Sequence, residues 1–280
     1  MKLETFRNAD AFLRTAEPVF LANEALTSLI LGIAIRLRDG HTFGDEPPFL
    51  SCVLDEDRVV AIATRTPPHN LLIHAVESDG EPLDLVANHL GGAGVTLRGV
   101  HGRSEEAERF AEAWTRVTAA AREISMEQRL YKLTEVSAPD GVPGRLRPAA
   151  EREHDLLVRW VKAFVDEAIG AAPHPDPSGL VERLTQAGAL FVWDHGEPVS
   201  MASSNRPTPN GIAVNLVYTP PEKRGRGYAT ACVASVSQGQ LDRGKTFCTL
   251  FADLANPTSN AVYKRVGYRP VADFSEILFS

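Results

Sequence analysis

Two arginines and two glycines alternate at the start of a helical stretch in the C-terminal half of the sequence. The run RGRG at 224–227 follows two prolines and precedes a segment rich in alanine and valine. Glycine lets a ligand reach the main chain where any Cβ would collide, and a helix N-terminus presents unpaired N–H groups and partial positive charge. The pattern predicts an anion-binding loop, with phosphate as the first candidate; an RNA strand and a plain tight turn are the alternatives.

The spacing of the glycines separates this loop from other phosphate-binding motifs. No Gly-Lys-Ser/Thr follows it, so it is not a Walker loop. Thr230 stands where the dinucleotide-binding fingerprint has its third glycine. An RNA-binding Arg-Gly tract is typically longer and repeated, whereas this one lies between a predicted strand and a predicted helix.

A second cluster of polar residues lies on a short predicted helix after the strand expected at 249–254. Asn256 suits the N-cap, Pro257 the first helical position and Gly267 the position just past the end. Asparagine is a poor helix former, so Asn260 inside the helix calls for a structural or functional reason. Spacings of three and four residues put four side chains on one polar face: Asn256, Ser259, Asn260 and Tyr263.

Together the two segments resemble a known family. The stretch "VYTPPEKRGRGYA" is similar to the acetyl-coenzyme A loop of the GCN5-related N-acetyltransferases (GNATs), and "ANPTSNAVYKRVGYRP" is similar to that family's next motif. The nearest subgroup is the one like glycine N-acyltransferase. The resemblance of motifs covers 212–270, and the resemblance of fold extends over 145–280 and, more faintly, over the first half.

The resemblance implies that acetyl-coenzyme A binds as a co-substrate. Backbone N–H groups of 224–230 would hold its pyrophosphate, the main chain of Val217 and Thr219 would pair with the pantetheine arm, and the N–H of Val217 would face the thioester oxygen. Tyr263 would be the general acid that protonates the leaving thiolate. The implied cofactor-binding residues are Val217, Tyr218, Thr219, Arg224, Gly225, Arg226, Gly227, Tyr228, Ala229, Thr230, Asn256 and Ser259.

The sequence departs from the family at the general base. Many members carry a glutamate on the strand before the loop, where this chain has Ala213, with Asn215 two residues further on. A substrate ammonium near pKa 10 must lose its proton before attack, so either water relays the proton to a carboxylate elsewhere or the amine is less basic. Glu222 and His174 are candidates, but a surface charge and an ordinary loop histidine are the simpler interpretations, and the base stays unassigned.

The elements that must position these residues occur twice. Both halves contain a stretch typical of a three-stranded meander, preceded by amphipathic helices and followed by further helices and strands. The fold class is therefore α+β. The resemblance implies two tandem GNAT-like domains, each a mixed, mostly antiparallel sheet flanked by helices. At a constant offset of 139 residues, the matching pairs are Asp55 and Asp194, Val60 and Val199, Ala63 and Ala202, Pro68 and Pro207, and Ile73 and Ile212.

A segment rich in proline and glycine separates the halves. It gives a first domain at 1–138, a linker at 139–147 and a second domain at 148–280. In the first half, Leu85 and Asn88 stand where the second half has the first arginine and the last glycine of its loop. The first domain is predicted to be a degenerate copy without the cofactor motif, which shapes or covers the acceptor pocket.

Composition bounds the remaining classes of function. The 280 residues carry a net charge of −7, which argues against a general nucleic-acid binder. The sequence has no signal-peptide core and no apolar run near the length of a membrane span, so we expect a cytoplasmic protein without a membrane partner, as a monomer or homodimer. Three widely separated cysteines form neither a disulfide framework nor a zinc cluster, and no metal is expected: Cys52, Cys232 and Cys248.

These observations predict an N-acetyltransferase. It would move an acetyl group from acetyl-coenzyme A to the amine of a small molecule or peptide by direct attack, without an enzyme-bound intermediate. The alternative is a non-catalytic sensor of acyl-coenzyme A, which would keep the loop but not need Tyr263. An RNA-binding module is a third interpretation, which the acidic net charge disfavours.

Overall fold

Ten elements follow one another in the same order twice along the chain: a strand, two helices, three strands, a helix, a strand, a helix and a strand. The structure, a computed structural model, describes residues 1–76, 81–168 and 176–280. The first series is β1 Lys2–Thr5, α1 Ala9–Ala22, α2 Glu24–Arg38, β2 Phe49–Asp55, β3 Arg58–Arg65, β4 Leu71–Ala75, α3 Glu81–Gly92, β5 Gly99–Arg103, α4 Ser104–Thr118 and β6 Arg122–Leu133. The second is β7 Arg145–Pro148, α5 His154–Ala168, α6 Pro177–Gln186, β8 Leu190–Asp194, β9 Pro198–Asn205, β10 Gly211–Tyr218, α7 Tyr228–Leu241, β11 Phe247–Asp253, α8 Pro257–Val266 and β12 Arg269–Phe279.

The chain divides into two units: Met1–Leu130 together with Val271–Ser280, and Tyr131–Pro270. The expected linker at 139–147 lies inside the second unit, where β7 pairs antiparallel with β8. The last strand of the chain belongs to the first unit instead of to the expected domain 148–280, because β12 pairs antiparallel with β5 from Phe274↔Arg103 to Leu278↔Gly99. That pairing provides hydrogen-bond partners for the backbone at the edge of β5. No local sequence pattern predicts it.

In the first unit the strand order is β1-β2-β3-β4-β5-β12-β6. Only β4 and β5 are parallel among the pairs with a defined register. Helices α3 and α4 bury Phe110 and Trp114 against one face of the sheet. Helices α1 and α2 bury Phe12 and Ile30 against the other. The result is a three-layer arrangement with an apolar core on each side of the sheet.

In the second unit the order is β7-β8-β9-β10-β11. Strands β10 and β11 are parallel, and their neighbours run antiparallel. Helices α7 and α8 cover one face, where Val233 and Val266 are buried. Helices α5 and α6 cover the other, where Leu157 and Val181 are buried. Both units are therefore mixed, mostly antiparallel sheets flanked by helices, and the predicted α+β class is confirmed.

The helices are too short or too polar to cross a lipid bilayer throughout the described ranges.

Candidate active site

Strands β10 and β11 separate part-way along their length. Their parallel register covers three pairs, from Gly211↔Phe247 to Ala213↔Thr249, although the strands continue to Tyr218 and Asp253. Beyond Ala213, no further pair joins these two fully described strands. The separation leaves a slot into which an extended ligand could insert alongside the exposed strand backbone.

A bulge in β10 faces this slot. The antiparallel register with β9 jumps between Asn215↔Ser203 and Tyr218↔Met201, so Leu216 and Val217 fall outside it. Leu216 has a φ of 50°, in the left-handed region that leucine rarely adopts. Bulges commonly redirect the backbone next to active sites. No sequence signal marks this position, because nothing distinguishes Leu216 from an ordinary strand residue.

The predicted loop follows β10 and ends at the first residue of α7. Gly225 and Gly227 have φ angles of 76° and 82°, so both positions use the freedom that only glycine has at little cost. Gly227 is the N-cap of α7 and offers no capping side chain. In the described part of the chain, none of the six consecutive N–H groups of 225–230 finds an acceptor. Six such donors at the positive end of a 14-residue helix have the chemistry that suits an anion.

The three cations of the loop differ in how they are engaged. Lys223 lies 2.5 Å from Glu197. Arg224 donates from Nε to the carbonyl of Thr219 at 2.8 Å and pairs with Glu167 of α5 at 2.7 Å. Arg226 is exposed, and the described residues give it no partner. Of the two predicted phosphate-binding arginines, Arg226 is thus available to a ligand. The charge of Arg224 is neutralised by Glu167, and this ion pair links the loop to α5.

The residues expected to contact a pantetheine arm lie at the end of β10. The carbonyl of Tyr218 accepts from Ser200 Oγ at 3.0 Å, and that of Thr219 accepts from Arg224. The N–H of Thr219 has no acceptor within the described ranges. The Thr219 N–H and the bulged backbone at Val217 are thus the first candidates to pair with such an arm, since the carbonyls of 218 and 219 each accept a hydrogen bond already.

Helix α8 has the ends that the sequence predicts. Asn256 caps it, with Oδ1 accepting from the N–H of Ser259 at 3.0 Å. Gly267 ends it with a φ of 111°, and a Cβ there would lie 2.7 Å from the carbonyl of Glu135. The capping hydrogen bond therefore uses the side-chain oxygen of Asn256 and the N–H of Ser259. Any contact of Asn256 with a cofactor would have to use its other amide group.

The polar face predicted on α8 turns inward. Tyr263 is only 8% exposed, and its ring lies between those of Tyr131 and Tyr268, with centroids 6.3 and 6.2 Å away. No group in the described ranges hydrogen bonds to its hydroxyl. Burial raises the pKa of Tyr263 above that of a free phenol, so the hydroxyl stays protonated at physiological pH. A buried, protonated, unpartnered phenol can donate to an anion formed beside it.

The position of the missing glutamate holds no proton acceptor. Ala213 is buried. Asn215 donates from Nδ2 to Asn205 Oδ1 at 2.8 Å, and its Oδ1 accepts from Ser203. Glu222 is exposed, and His174 lies outside the described residues. Nor do the described ranges contain three His, Cys, Asp or Glu side chains grouped so as to hold a metal ion.

Residues 195–275 match the model of one protein family, described as FR47-like protein. The matched segment contains β10, the loop, α7, β11 and α8. It covers less than a third of the 280-residue chain. No curated protein matches the sequence.

Solved structures match over nearly the whole chain. A Drosophila protein aligns with a TM-score of 0.70 at 12% identity, covering 99% of this chain and 98% of its own. A GCN5-related N-acetyltransferase from Sphaerobacter thermophilus gives 0.61 at 14%, covering 99% and 95%. A tandem GNAT protein from the clavulanic acid biosynthesis pathway gives 0.57 at 13%, covering 100% and 98%. The chain has the GNAT fold, in tandem. The glycine N-acyltransferase-like subgroup stays a prediction, because these identities carry the fold alone.

Within the GNAT fold, several residues of the site escaped sequence analysis. His195 Nδ1 lies 2.9 Å from the hydroxyl of Tyr228, the first residue of α7. Val142 Cγ2 would be 3.0 Å from a Cβ on Gly227. Glu167, the partner of Arg224, is 57 positions away in the sequence. Spacing along one chain segment cannot reveal such neighbours, since each comes from a different element.

Proposed function

We propose that the second unit binds acyl-coenzyme A and transfers its acyl group, most simply acetyl, to an amine. The run of unpartnered N–H groups at 225–230 carries this proposal. It lies at the end of a strand that has separated from its parallel neighbour. A pyrophosphate at the helix N-terminus and an extended arm in the slot suit these two features.

The proposed reaction is a direct displacement. A neutral amine attacks the thioester carbonyl carbon, the new C–N bond forms, and the C–S bond breaks to give amide and thiolate. The N–H of Val217 supports the negative charge that develops on the carbonyl oxygen. Tyr263 gives its phenolic proton to the thiolate and regains a proton from solvent. The proton that the attacking nitrogen loses goes to water, since neither Ala213 nor Asn215 is a base.

The first test is a screen for free thiol released from acetyl-coenzyme A in the presence of amines, peptides and aminoglycosides. We expect thiol release that depends on an acceptor. Binding of coenzyme A should be measured by calorimetry on the same preparation. A protein that binds neither coenzyme A nor acetyl-coenzyme A would contradict the proposal.

Tyr263→Phe tests the acid. It removes one hydroxyl and leaves the ring to pack as before, so turnover should fall by about two to four orders of magnitude, the range seen for positioned general acids. Affinity for coenzyme A should stay as in the parent, because the loop holds the phosphates. Tyr268→Phe is the matched control: it removes the hydroxyl that bonds to Ser237 at 2.8 Å and should lower thermal stability without abolishing turnover. Undiminished turnover in Tyr263→Phe would remove this residue from the mechanism.

A sensor of acyl-coenzyme A is the second candidate, and one observation favours it. Ala213 occupies the place of a carboxylate base, and the nearby amide of Asn215 is hydrogen bonded to Ser203 and Asn205. Tight binding of acetyl-coenzyme A without thiol release for any acceptor would favour the sensor over the enzyme.

A further inference from the structure

Asn260 lies at the centre of a buried hydrogen-bond network. Its Nδ2 donates to the carbonyls of Asp253, at the end of β11, and of Asn256, the N-cap of α8, at 2.7 and 2.8 Å. Its Oδ1 accepts from the hydroxyl of Tyr131 at 2.7 Å. A helix-interior asparagine with every amide hydrogen used is a structural link, because it fixes the first turn of α8 to the end of the strand that borders the slot.

Tyr131 makes a second contact, with the proposed acid. It is completely buried, and its ring centroid is 6.3 Å from that of Tyr263, at an interplanar angle of 53°. Since no hydrogen bond within the described ranges holds the Tyr263 hydroxyl, ring packing alone determines where that hydroxyl points. Tyr131 is thus held at its hydroxyl by Asn260 and supports Tyr263 with its ring.

We infer that Tyr131, held by Asn260, is a positioning residue that sets the distance of the Tyr263 hydroxyl from the slot between β10 and β11. The inference rests on the proposed function, in which that hydroxyl donates a proton. It assigns a role to a residue outside the two predicted motifs, 129 positions before Asn260 in the sequence. A proton donor without hydrogen bonds of its own depends on such support, since small misplacements of reacting groups slow a reaction strongly.

Tyr131→Phe is the test, because it keeps the ring and removes only the hydroxyl that Asn260 accepts. We expect kcat to fall about ten- to a hundredfold, the scale of a misplacement near 1 Å, with an unchanged KM for acetyl-coenzyme A. Added to Tyr263→Phe, the same substitution should lower kcat no further, because the two residues act through one proton transfer. Ser204→Ala is the matched control. It breaks a buried side-chain bond, to Gln240 at 3.0 Å, and should leave kcat unchanged.

A spectroscopic measurement separates failure of this inference from failure of the proposed function. The chain has five tyrosines, so ¹⁹F spectra of protein labelled with 3-fluorotyrosine are simple, and Tyr263→Phe identifies the Tyr263 resonance. Tyr131→Phe should shift or broaden that resonance, and Ser204→Ala should not, whether or not the protein turns over an acceptor. An unchanged resonance, or an equal loss of kcat in the presence and absence of the Tyr263 hydroxyl, would overturn the positioning role.

Discussion

The two units contain the same elements in the same order. They differ most at the start of the helix that follows the third strand of each meander, which is β4 in the first unit and β10 in the second. In the second unit, α7 begins after Gly225 and Gly227, with N–H groups that have no acceptor in the described ranges. In the first, α3 carries Glu81 and Asp84 in its first turn. Carboxylates there satisfy the positive end of the helix and repel phosphate. If the second unit binds phosphate as proposed, the same fold gains or loses that site through a few residues at one helix end.

The slot between the parallel strands also differs. Parallel pairing of β4 with β5 stops at Leu72↔His101, so these strands separate as β10 and β11 do. In the first unit, however, side chains occupy the opening: Glu106 Oε1 accepts from the N–H of Ala75 at 3.2 Å, and Arg103 donates to the carbonyl of Ala75 at 3.2 Å. Arg103 and Glu106 form an ion pair with each other. The backbone that an extended ligand would need is therefore already used.

The helix after the slot carries a third difference. Tyr263 is the seventh residue of α8, and Phe110 is the seventh residue of α4. Both rings are buried, but only the tyrosine has a proton to give. The first unit thus keeps the packing of the second while lacking three of its chemical features, which supports the prediction that it is a degenerate copy.

The largest effect on this comparison is expected from Gly227→Val. A branched side chain at a φ of 82°, with its Cβ 3.0 Å from Val142, would move the loop and cover its amides. Losing two N–H bonds to phosphate at about 1.5–3 kcal/mol each corresponds to at least about a hundredfold loss of affinity for coenzyme A. Calorimetry measures it, with circular dichroism as the check on folding. Asn88, which the offset of 139 residues pairs with Gly227, is an exposed residue in the eighth position of α3 and not at its N-terminus. Asn88→Val should leave affinity as it is; a comparable loss there would mean that the first unit also holds cofactor.

A smaller effect is expected from removing the charge of one carboxylate in each unit. Glu106 is 3% exposed, so Glu106→Gln should lower the free energy of unfolding by about 1–3 kcal/mol, the cost of an unsatisfied buried partner. Glu167 and Arg224 are about half exposed, so Glu167→Gln should cost at most about 1 kcal/mol. Denaturant titrations of both variants decide this. Equal losses in the two variants would show that the buried carboxylate of Glu106 is not what closes the slot of the first unit.

The smallest effect concerns the thiols. Burial raises the pKa of Cys52, Cys232 and Cys248 to about 12, so the folded protein should react negligibly with a thiol reagent at pH 8. Because the folded-state pKa is above the unfolded value near 8.5, these groups favour folding below that pH, and their contribution is lost as the pH rises toward 12. The first unit contains one of these thiols and the second contains two. If one thiol per protein becomes reactive first as denaturant is added, the first unit opens first; if two do, the second unit opens first. Fast reaction without denaturant would contradict the burial.

Local patterns predicted those parts of the molecule in which neighbours in sequence are neighbours in space. The offset of 139 residues revealed the repeat before any pairing was known, since matching strands need matching alternation. Asn256, Pro257 and Gly267 predicted both ends of α8, because capping is a contact within one turn. The positive φ angles of Gly225 and Gly227 are a finding of the structure, since the sequence was interpreted only as leaving the main chain open to a ligand. Which residues bind cofactor stays a prediction.

The sequence by itself thus determined the repeat, the class of fold and the two ends of α8, all of which follow from spacing and backbone preference. Only the tertiary structure decided that β12 joins the first unit, that Leu216 bulges, and that Arg224 is matched by Glu167. It also decided that Asn260 meets Tyr131 and that Tyr263 is buried beside them. These outcomes depend on contacts between elements far apart in the chain. A polar group can be buried at low cost only where the fold supplies a hydrogen-bond partner for it, and that partner often comes from a distant element.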